Sequence, residues 1–382
     1  MARDFSIYFP FDFCYLQPMK ISTKTQLVLV FLALVCLIGV VSSVIANYIV
    51  TNHVIRAAQE TVKEDLNTAR YVYTSRIRDI DKAIRWTSMR HVLKPAVQQK
   101  NVSSIRLELT NVMAEEKLDF LTLVDQNGTV IHRFHNPGVS GDSLITDPFV
   151  RGALEKKGIS GTQIVSREEL LKDGEALAQR AVFRLIPTPK EKVTERAEET
   201  SGMVLKSAHP VFDFNGDLIG ALVGGVLLNR NYEIVDLVKS IVYKDAKHHG
   251  KEIGTATIFM GDLRISTNVP DREGNRAVGT RAMKEVYGHV IEKGLSWIQR
   301  AFVVDDWYIT AYEPIRDVQG QIVGMLYVGI LEGKYADIKN RTVLLFLLFS
   351  MTGMLMALVV SFILSRKFLK KNAKGTVIKR GA

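Results

Sequence analysis

"HPVFDFNGDLIGALVGGVLL" fills residues 209–228, and "YEPIRDVQGQIVGMLYVGIL" fills residues 312–331. Shifted by 104 positions, the two read as one hairpin used twice. Pro210 falls on Pro314, Asp213 on Asp317, Gly216 on Gly320, Gly220 on Gly324 and Gly225 on Gly329. Leu222 falls on Leu326, while Ile219 and Val226 meet Val323 and Ile330. Each copy is strand, turn, strand. In the D-x-x-G turn the aspartate oxygen accepts backbone N–H bonds and the glycine takes the left-handed conformation. The same turn, Asp125–Gly128, sits inside "LDFLTLVDQNGTVIHRF".

Working outward, each closing hairpin is preceded by the same kinds of element. Ahead of the first copy come a hairpin at 118–134, the loop "HNPGVSGDSLITDP", a short helix in "FVRGALEKKG", the strand "SGTQIVS" and a polar segment. Residues 187–202, "PTPKEKVTERAEETSG", read as a solvated loop. After a helical connector, "NRNYEIVDLVKSIVYKDA", a shorter set follows. It comprises the hairpin "GTATIFMGDLRIST", loop and helix in "AVGTRAMKEVYGHVIEKG", and two strands in "SWIQRAFVVDDWYITAYEPI". This order predicts two PAS-like α+β modules in series, each on an antiparallel sheet. Thr51 to Val97 holds no glycine and spaces Val62, Leu66, Ala69, Val72 or Tyr73, Ile77, Ile80 and Ile84 as one face of a long helix.

Two stretches, Thr25–His53 and Thr342–Ser365, carry no charged residue and exceed the ~20 apolar residues that cross a bilayer. Lys20 and Lys24 precede the first, and Arg366, Lys367, Lys370, Lys371 and Lys374 follow the second. The positive-inside rule puts both termini in the cytoplasm of a bacterial inner membrane and residues ~51–341 in the periplasm. Of the net charge of +10, +7 lies in 366–382 and +1 in 1–24, so the rest is near neutral. That distribution argues against nucleic-acid binding. Cys14 and Cys36 lie before and inside the first span, so the outer region holds no disulfide.

The stretches "GTATIFMGDLRISTN", "RAFVVDDWYITAYEPIRD", "GMLYVGILEGKY" and "SGMVLKSAHPVFDFNGDLIGALVGGVLLNRNYEIVD", with the helices, resemble the double Cache sensor domains of bacterial receptors, in the form called the Cache 3/Cache 2 fusion. The resemblance covers about 45–335. It implies the input half of a sensor histidine kinase or a chemotaxis receptor that binds a small extracellular metabolite, of the organic acid or amino acid class. Members continue into a HAMP linker and an output domain. "RKFLKKNAKGTVIKRGA" lacks the proline and heptads of such a linker, so the expectation is a sensor without a transmitter in this chain.

The expected layout is a cytoplasmic N-terminus at 1–24, with 1–18 an over-extended start ahead of Met19. A first span at 25–50 and a helical stalk at 51–116 come next. The membrane-distal module takes 117–232, a connector 233–251 and the membrane-proximal module 252–335. A second span at 342–365 and a basic tail at 366–382 complete it.

No catalytic set is visible. There is no phosphate loop, no G-x-S-x-G, and no cysteine nucleophile outside the membrane. His248-His249 reads as an exposed loop pair, with no metal and no cofactor expected. A carboxylate ligand needs Arg, His or Tyr donors in an apolar hollow between sheet and insert. Distal candidates are Arg133, His135, Arg180, Arg184 and His209; Arg180 and Arg184 share a face if their stretch is helical. Proximal candidates are Arg281, Trp297, Arg300, Tyr308 and Tyr312. Strand alternation puts Tyr308, Thr310 and Tyr312 on one face, against Trp307 and Ile309 on the other. A homodimer along the long helix is expected, with a separate kinase or chemoreceptor as partner in the alternative reading of a stand-alone binding protein.

Overall fold

The computed structural model describes residues 23–244 and 246–378, so the reading of 1–18 as an over-extended start lies outside the described residues. Helix α1 spans Thr23–Ser88, followed by α2, Leu93–Gln98, and α3, Arg106–Glu115. The first module holds strands β1, Phe120–Asp125, and β2, Val130–Arg133, helix α4, Pro148–Leu154, and β3, Ile159–Val165. Two short helices follow, α5, Arg167–Asp173, and α6, Glu175–Ala181. The two-residue strands β4, Phe183–Arg184, and β5, Glu198–Glu199, bracket the insert, and β6, Gly202–Phe212, with β7, Leu218–Leu227, form the closing hairpin.

Helix α7, Glu233–Val242, and the small hairpin of β8, Lys247–His248, and β9, Lys251–Glu252, connect to the second module. That module comprises β10, Gly254–Met260, β11, Leu263–Thr267, α8, Lys284–Tyr287, a π-helical turn Gly288–Glu292, β12, Trp297–Val303, β13, Asp306–Arg316, and β14, Ile322–Leu331. Helix α9 runs Glu332–Ile378.

The sheets have matching strand orders, β2-β1-β7-β6-β3 and β11-β10-β14-β13-β12, antiparallel throughout. The likeness extends to single residues. His209 pairs with Leu222 and Glu313 with Leu326, and both hairpins slip by one residue at the same place, after Val211 and after Ile315. The first hairpins also bulge at matching positions, Leu123/Val124 and Ile258/Phe259. Among the described residues the D-x-x-G turn occurs four times. Asp125, Asp213, Asp271 and Asp317 each accept two backbone N–H bonds of 2.8–2.9 Å through one oxygen. Their partners Gly128, Gly216, Gly274 and Gly320 have φ of 78°, 89°, 88° and 85°.

The repeated Gly220 and Gly324 are required by close approach. A Cβ there would lie 2.2 Å from the Val124 carbonyl oxygen and 2.0 Å from that of Phe259, the bulged residue of each neighbouring strand. Gly225 and Gly329 meet different obstacles, the Leu205 carbonyl oxygen at 2.3 Å and the Tyr327 hydroxyl at 2.2 Å.

One apolar core runs along α1 and joins both sheets. It holds Val62, Leu66, Ala69, Ile80 and Ile84 with Leu123, Leu205 and Leu222 of the first sheet and Ile258, Ile309 and Leu326 of the second. The apolar stripe of the helix along which a homodimer is expected is covered here by the chain's own sheets.

The segment 187–202 is not simply a solvated loop. Thr188 Oγ1 donates to the Arg281 carbonyl, Lys284 N to the Lys190 carbonyl at 2.8 Å, and Arg281 Nη1 to the Lys192 carbonyl at 2.9 Å. Just ahead of it, Ile186 N donates to the Gly279 carbonyl at 2.9 Å. Lys190 lies 4.3 Å from the Trp307 ring centroid and Lys192 4.0 Å from that of Tyr287. Residues 186–192 thus form a strap from the distal module across the proximal one.

The chain divides into two compact units, His53–Ile338 and the residues up to Asn52 with those from Lys339 on. Both α1 and α9 contain stretches long and apolar enough to cross a membrane, with mean hydropathy 2.3 and 2.6, and those stretches are unburied. Two helices of membrane-spanning length and apolarity therefore flank the region His53–Ile338 in the sequence, as a two-pass topology requires.

Candidate functional site

Each sheet shows one face to α1 and the other to its insert. Register matching makes the two insert-side faces comparable residue by residue. In the distal module Thr122 pairs with Arg133, and Lys206 lies two strands away, opposite Gly225. In the proximal module Thr257 pairs with Thr267, and Thr310 lies opposite Gly329. The row Thr122, Arg133, Lys206 thus corresponds to Thr257, Thr267, Thr310.

The distal row lines a cavity of about 40 Å³, room for two or three waters, walled also by Phe120, Leu144, Asp147, Val165, Leu170 and Asp173. It separates two apolar patches, one around Val204 and Leu227, the other around Phe149 and Val223. Arg133 is 3% exposed. It grips Asp142 with two bonds, Nη1 to Oδ1 at 2.6 Å and Nη2 to Oδ2 at 3.0 Å, and donates from Nε to Asp173 at 3.2 Å. The Arg133 hydrogen bond holds the Asp142 carboxyl down at about 2, against its partial burial and with help from Lys172.

Lys206 donates to Asp147 and to Gln163 Oε1 at 3.1 Å. Asp147 also caps α4, accepting from Phe149 N at 2.9 Å and Val150 N at 3.2 Å. Burial pushes Asp147 up, but Lys206 and the cap bonds bring it below the usual carboxylate range. Burial raises Asp173 despite Arg133 and Lys206. Two buried cations thus face three carboxylates, and both cations are already paired.

The other distal candidates lie elsewhere. His135 is exposed, its ring 3.2 Å from where a Cβ on Gly174 would be. Arg180 forms a two-bonded pair with Asp119 and donates to the Leu227 carbonyl at 3.0 Å. Arg184 is exposed on β4; α6 ends at Ala181, so the two arginines share no helical face. His209 is on the α1 side, its Nε2 2.9 Å from Asp81 Oδ1.

On the proximal insert-side face the row is neutral: Thr257 and Thr267 bond each other at 2.6 Å, and Thr310 donates to the Gln299 carbonyl. Around it pack Phe259, Tyr308, Tyr312, Met325 and Tyr327. Burial raises all three tyrosines, Tyr327 to about 12, so their hydroxyls stay protonated. Tyr327 OH and Thr255 Oγ1 lie 3.0 Å apart.

Arg264, opposite Phe259, projects into this face and is 1% exposed. Its Nη1 donates to Thr280 Oγ1, its guanidinium lies 4.9 Å from the Phe259 centroid, and its Nε has no partner. No carboxylate among the described residues pairs with it, and burial lowers its pKa. Trp297 Nε1, at the far edge strand, is also buried without a partner.

Of the other proximal candidates, Arg281 pairs with Asp262 and holds the strap. Arg300 turns away, stacked 3.9 Å from Trp307 and bonded to Glu332 at 3.0 Å. The imidazoles of His248 and His249 both reach Asp337, at 3.1 and 2.9 Å, among exposed side chains.

Sequence reasoning missed Lys206, Asp147, Asp173 and Arg264. For two of them the signal was present: "MVLKSA" and "LRIST" each set one cation in an otherwise uncharged strand.

A family profile described as single cache domain 3 matches residues 226–342. The proximal module is Cache-like. No curated protein matches the chain. Among solved structures, the periplasmic domain of Vibrio cholerae LuxQ is similar at 9% identity and a TM-score of 0.41, over 71% of this chain and 99% of that one. The V. cholerae histidine kinase DctB sensor domain gives 10% and 0.41, over 72% and 98%. The E. coli DcuS sensor domain gives 12% and 0.29, over 42% and 94%.

Proposed function

We propose that this chain is the extracytoplasmic sensing part of a bacterial transmembrane receptor of the two-component sensor kinase type, built on a Cache 3/Cache 2-like tandem. The observation that carries the reading is the junction at Leu331. Strand β14, in the middle of the proximal sheet, ends there, and α9 begins at the next residue. No loop separates the sheet from a helix of membrane-spanning character, so a change in sheet geometry acts on that helix directly. Shifts of about 1–2 Å suffice in known signalling transitions.

The ligand of this reading is an amino acid held in the distal cavity. Asp147 and Asp173 suit an ammonium; Arg133 and Lys206 suit a carboxylate. A simple dicarboxylate gives the acids no partner, and buried carboxylates without one are costly. The resting cavity has room for two or three waters only and its charges are paired internally, so binding exchanges those pairs for ligand contacts and moves apart α4 and α5, which carry Asp147 at the cap and Asp173 at the end.

The test is calorimetric titration of the full chain in nanodiscs with the common amino acids and a set of dicarboxylates. An amino acid is expected to bind, with Arg133→Met or Lys206→Met weakening it by at least about tenfold, each having lost a charged partner. Flat traces for wild type across both sets sink the ligand assignment.

A further inference from the structure

We infer that His248, His249 and Asp337 form a binding site for one transition-metal dication of the zinc class, set between the connector hairpin and the first turns of α9. Binding stands on these three side chains alone. What the ion does for signalling rests on the receptor reading proposed for the chain.

The sequence hid the site because its third ligand is remote. His248 and His249 are neighbours in a loop, and Asp337 lies 88 positions beyond His249. The fold brings the Nε2 atoms of both imidazoles to one carboxylate oxygen, Asp337 Oδ2, at 3.1 and 2.9 Å. All three ligand atoms lie within 4.8 Å of one another. With bonds of about 2.0–2.1 Å, tetrahedral ligands around zinc sit roughly 3.3 Å apart. Small side-chain rotations therefore admit the ion.

The backbone places the second imidazole. Residues His249 and Gly250 form the two-residue turn between β8 and β9, with φ of 48° and 79°. A turn with both central φ positive favours Asn-Gly or Asp-Gly; here a histidine takes the first place. Successive side chains of a strand point to opposite faces. The left-handed His249 instead swings its ring beside that of His248, with centroids 4.3 Å apart.

The donor set selects the metal. Two imidazoles and a carboxylate suit zinc, nickel or copper, each ring presenting the Nε2 lone pair and keeping its proton on Nδ1. Calcium and magnesium call for more oxygens than one aspartate offers. Three protein ligands leave a fourth position for water. Side-chain exposures of 23%, 78% and 54% leave the approach open.

The location gives the ion a mechanical role. The hairpin is tied to α7 by Lys239 and Glu252 at 2.6 Å, and to β13 by Lys251 and Asp306 at 2.7 Å. Asp337 stands on α9, between the Leu331 junction and the uncharged stretch from Thr342. A bound ion cross-links the start of α9 to that anchored hairpin and restrains the helix on which β14 acts.

The experiment is calorimetric titration of the tag-free full chain, in nanodiscs of zwitterionic lipid, with zinc chloride against magnesium and calcium chlorides. Zinc is expected to bind once, with Kd of about 1–10 µM, and the other two ions to give flat traces. His248→Ala, His249→Ala and Asp337→Asn should each weaken zinc by at least about tenfold; all three side chains reach solvent, where substitutions disturb folding little. Zinc should also slow hydrogen exchange at 247–252 and 332–338 in wild type and not in Asp337→Asn. No saturable zinc binding below about 100 µM, or binding that survives in the His248→Ala/His249→Ala double variant, overturns the site. Exchange unchanged by zinc overturns the cross-link. If zinc binds and no amino acid does, the metal site stands and only the distal ligand assignment falls; the reverse result removes only the metal site.

Discussion

At the scale of single residues, a buried carboxyl on α1 sets a pH dependence. Asp65 lies in the core beside Tyr243, and one of its oxygens has no partner. Burial lifts it to about 6, with Tyr243 pulling the other way. A carboxyl raised in the folded state binds its proton more tightly there than in the unfolded chain. Its contribution is therefore full below about pH 4 and lost as pH rises through about 6. Asp65→Asn is expected to stabilise the protein at pH 7 by on the order of 2 kcal/mol and to flatten the stability profile between pH 4 and 6. Asp142 works in the opposite sense. Held at about 2, it stabilises above about pH 4 and loses that effect as pH falls through about 2. Denaturant titrations from pH 3 to 8 separate the two, because only the first effect disappears in the asparagine variant.

At the scale of elements, the bulge explains the glycines. Each closing hairpin crosses a neighbour whose bulged carbonyl points at Gly220 or Gly324, leaving no room for a methyl. Gly220→Ala and Gly324→Ala should each cost about 1–3 kcal/mol, the usual penalty of overpacking, and each should loosen its own sheet first. Hydrogen exchange read strand by strand would show it; equal loosening of both sheets by one variant argues against separate responses. This level was largely legible in the sequence, since hairpin repeats, D-x-x-G turns and strand alternation are local patterns. The insert face was less so. Arg133, Tyr308 and Tyr312 could be picked out as donors, but Asp147 and Asp173 reach the cavity from a cap and a helix end that no short-range pattern announces. Arg184 failed to join Arg180 because α6 stops at Ala181, one turn too early.

At the scale of the whole molecule, the long-range contacts were the least visible. The stripe from Val62 to Ile84 was evident, but what it covers is decided by two sheets distant in sequence. A core shared by both sheets predicts that they melt together. Calorimetry of the full chain should give one transition for the region His53–Ile338, and two resolved transitions would show that the modules are energetically separate. The modules also meet directly. Thr162 bridges to Asp317, Tyr73 OH bonds Thr162 Oγ1 at 2.7 Å, and Arg70 pairs with Glu313 beside a cleft of about 340 Å³.

The strap carries a consequence for inheritance. A module that is its own structural unit can be shuffled between genes like a bead. Here the distal unit's residues 186–192 are bonded to the proximal unit's 279–284, so a recombination point between 228 and 254 transplants half of a fastening. A chimera joined there keeps every strand and still receives a mismatched buckle. In this respect the two modules form a single heritable part, and grafting experiments will succeed only where the strap and residues 279–284 travel together.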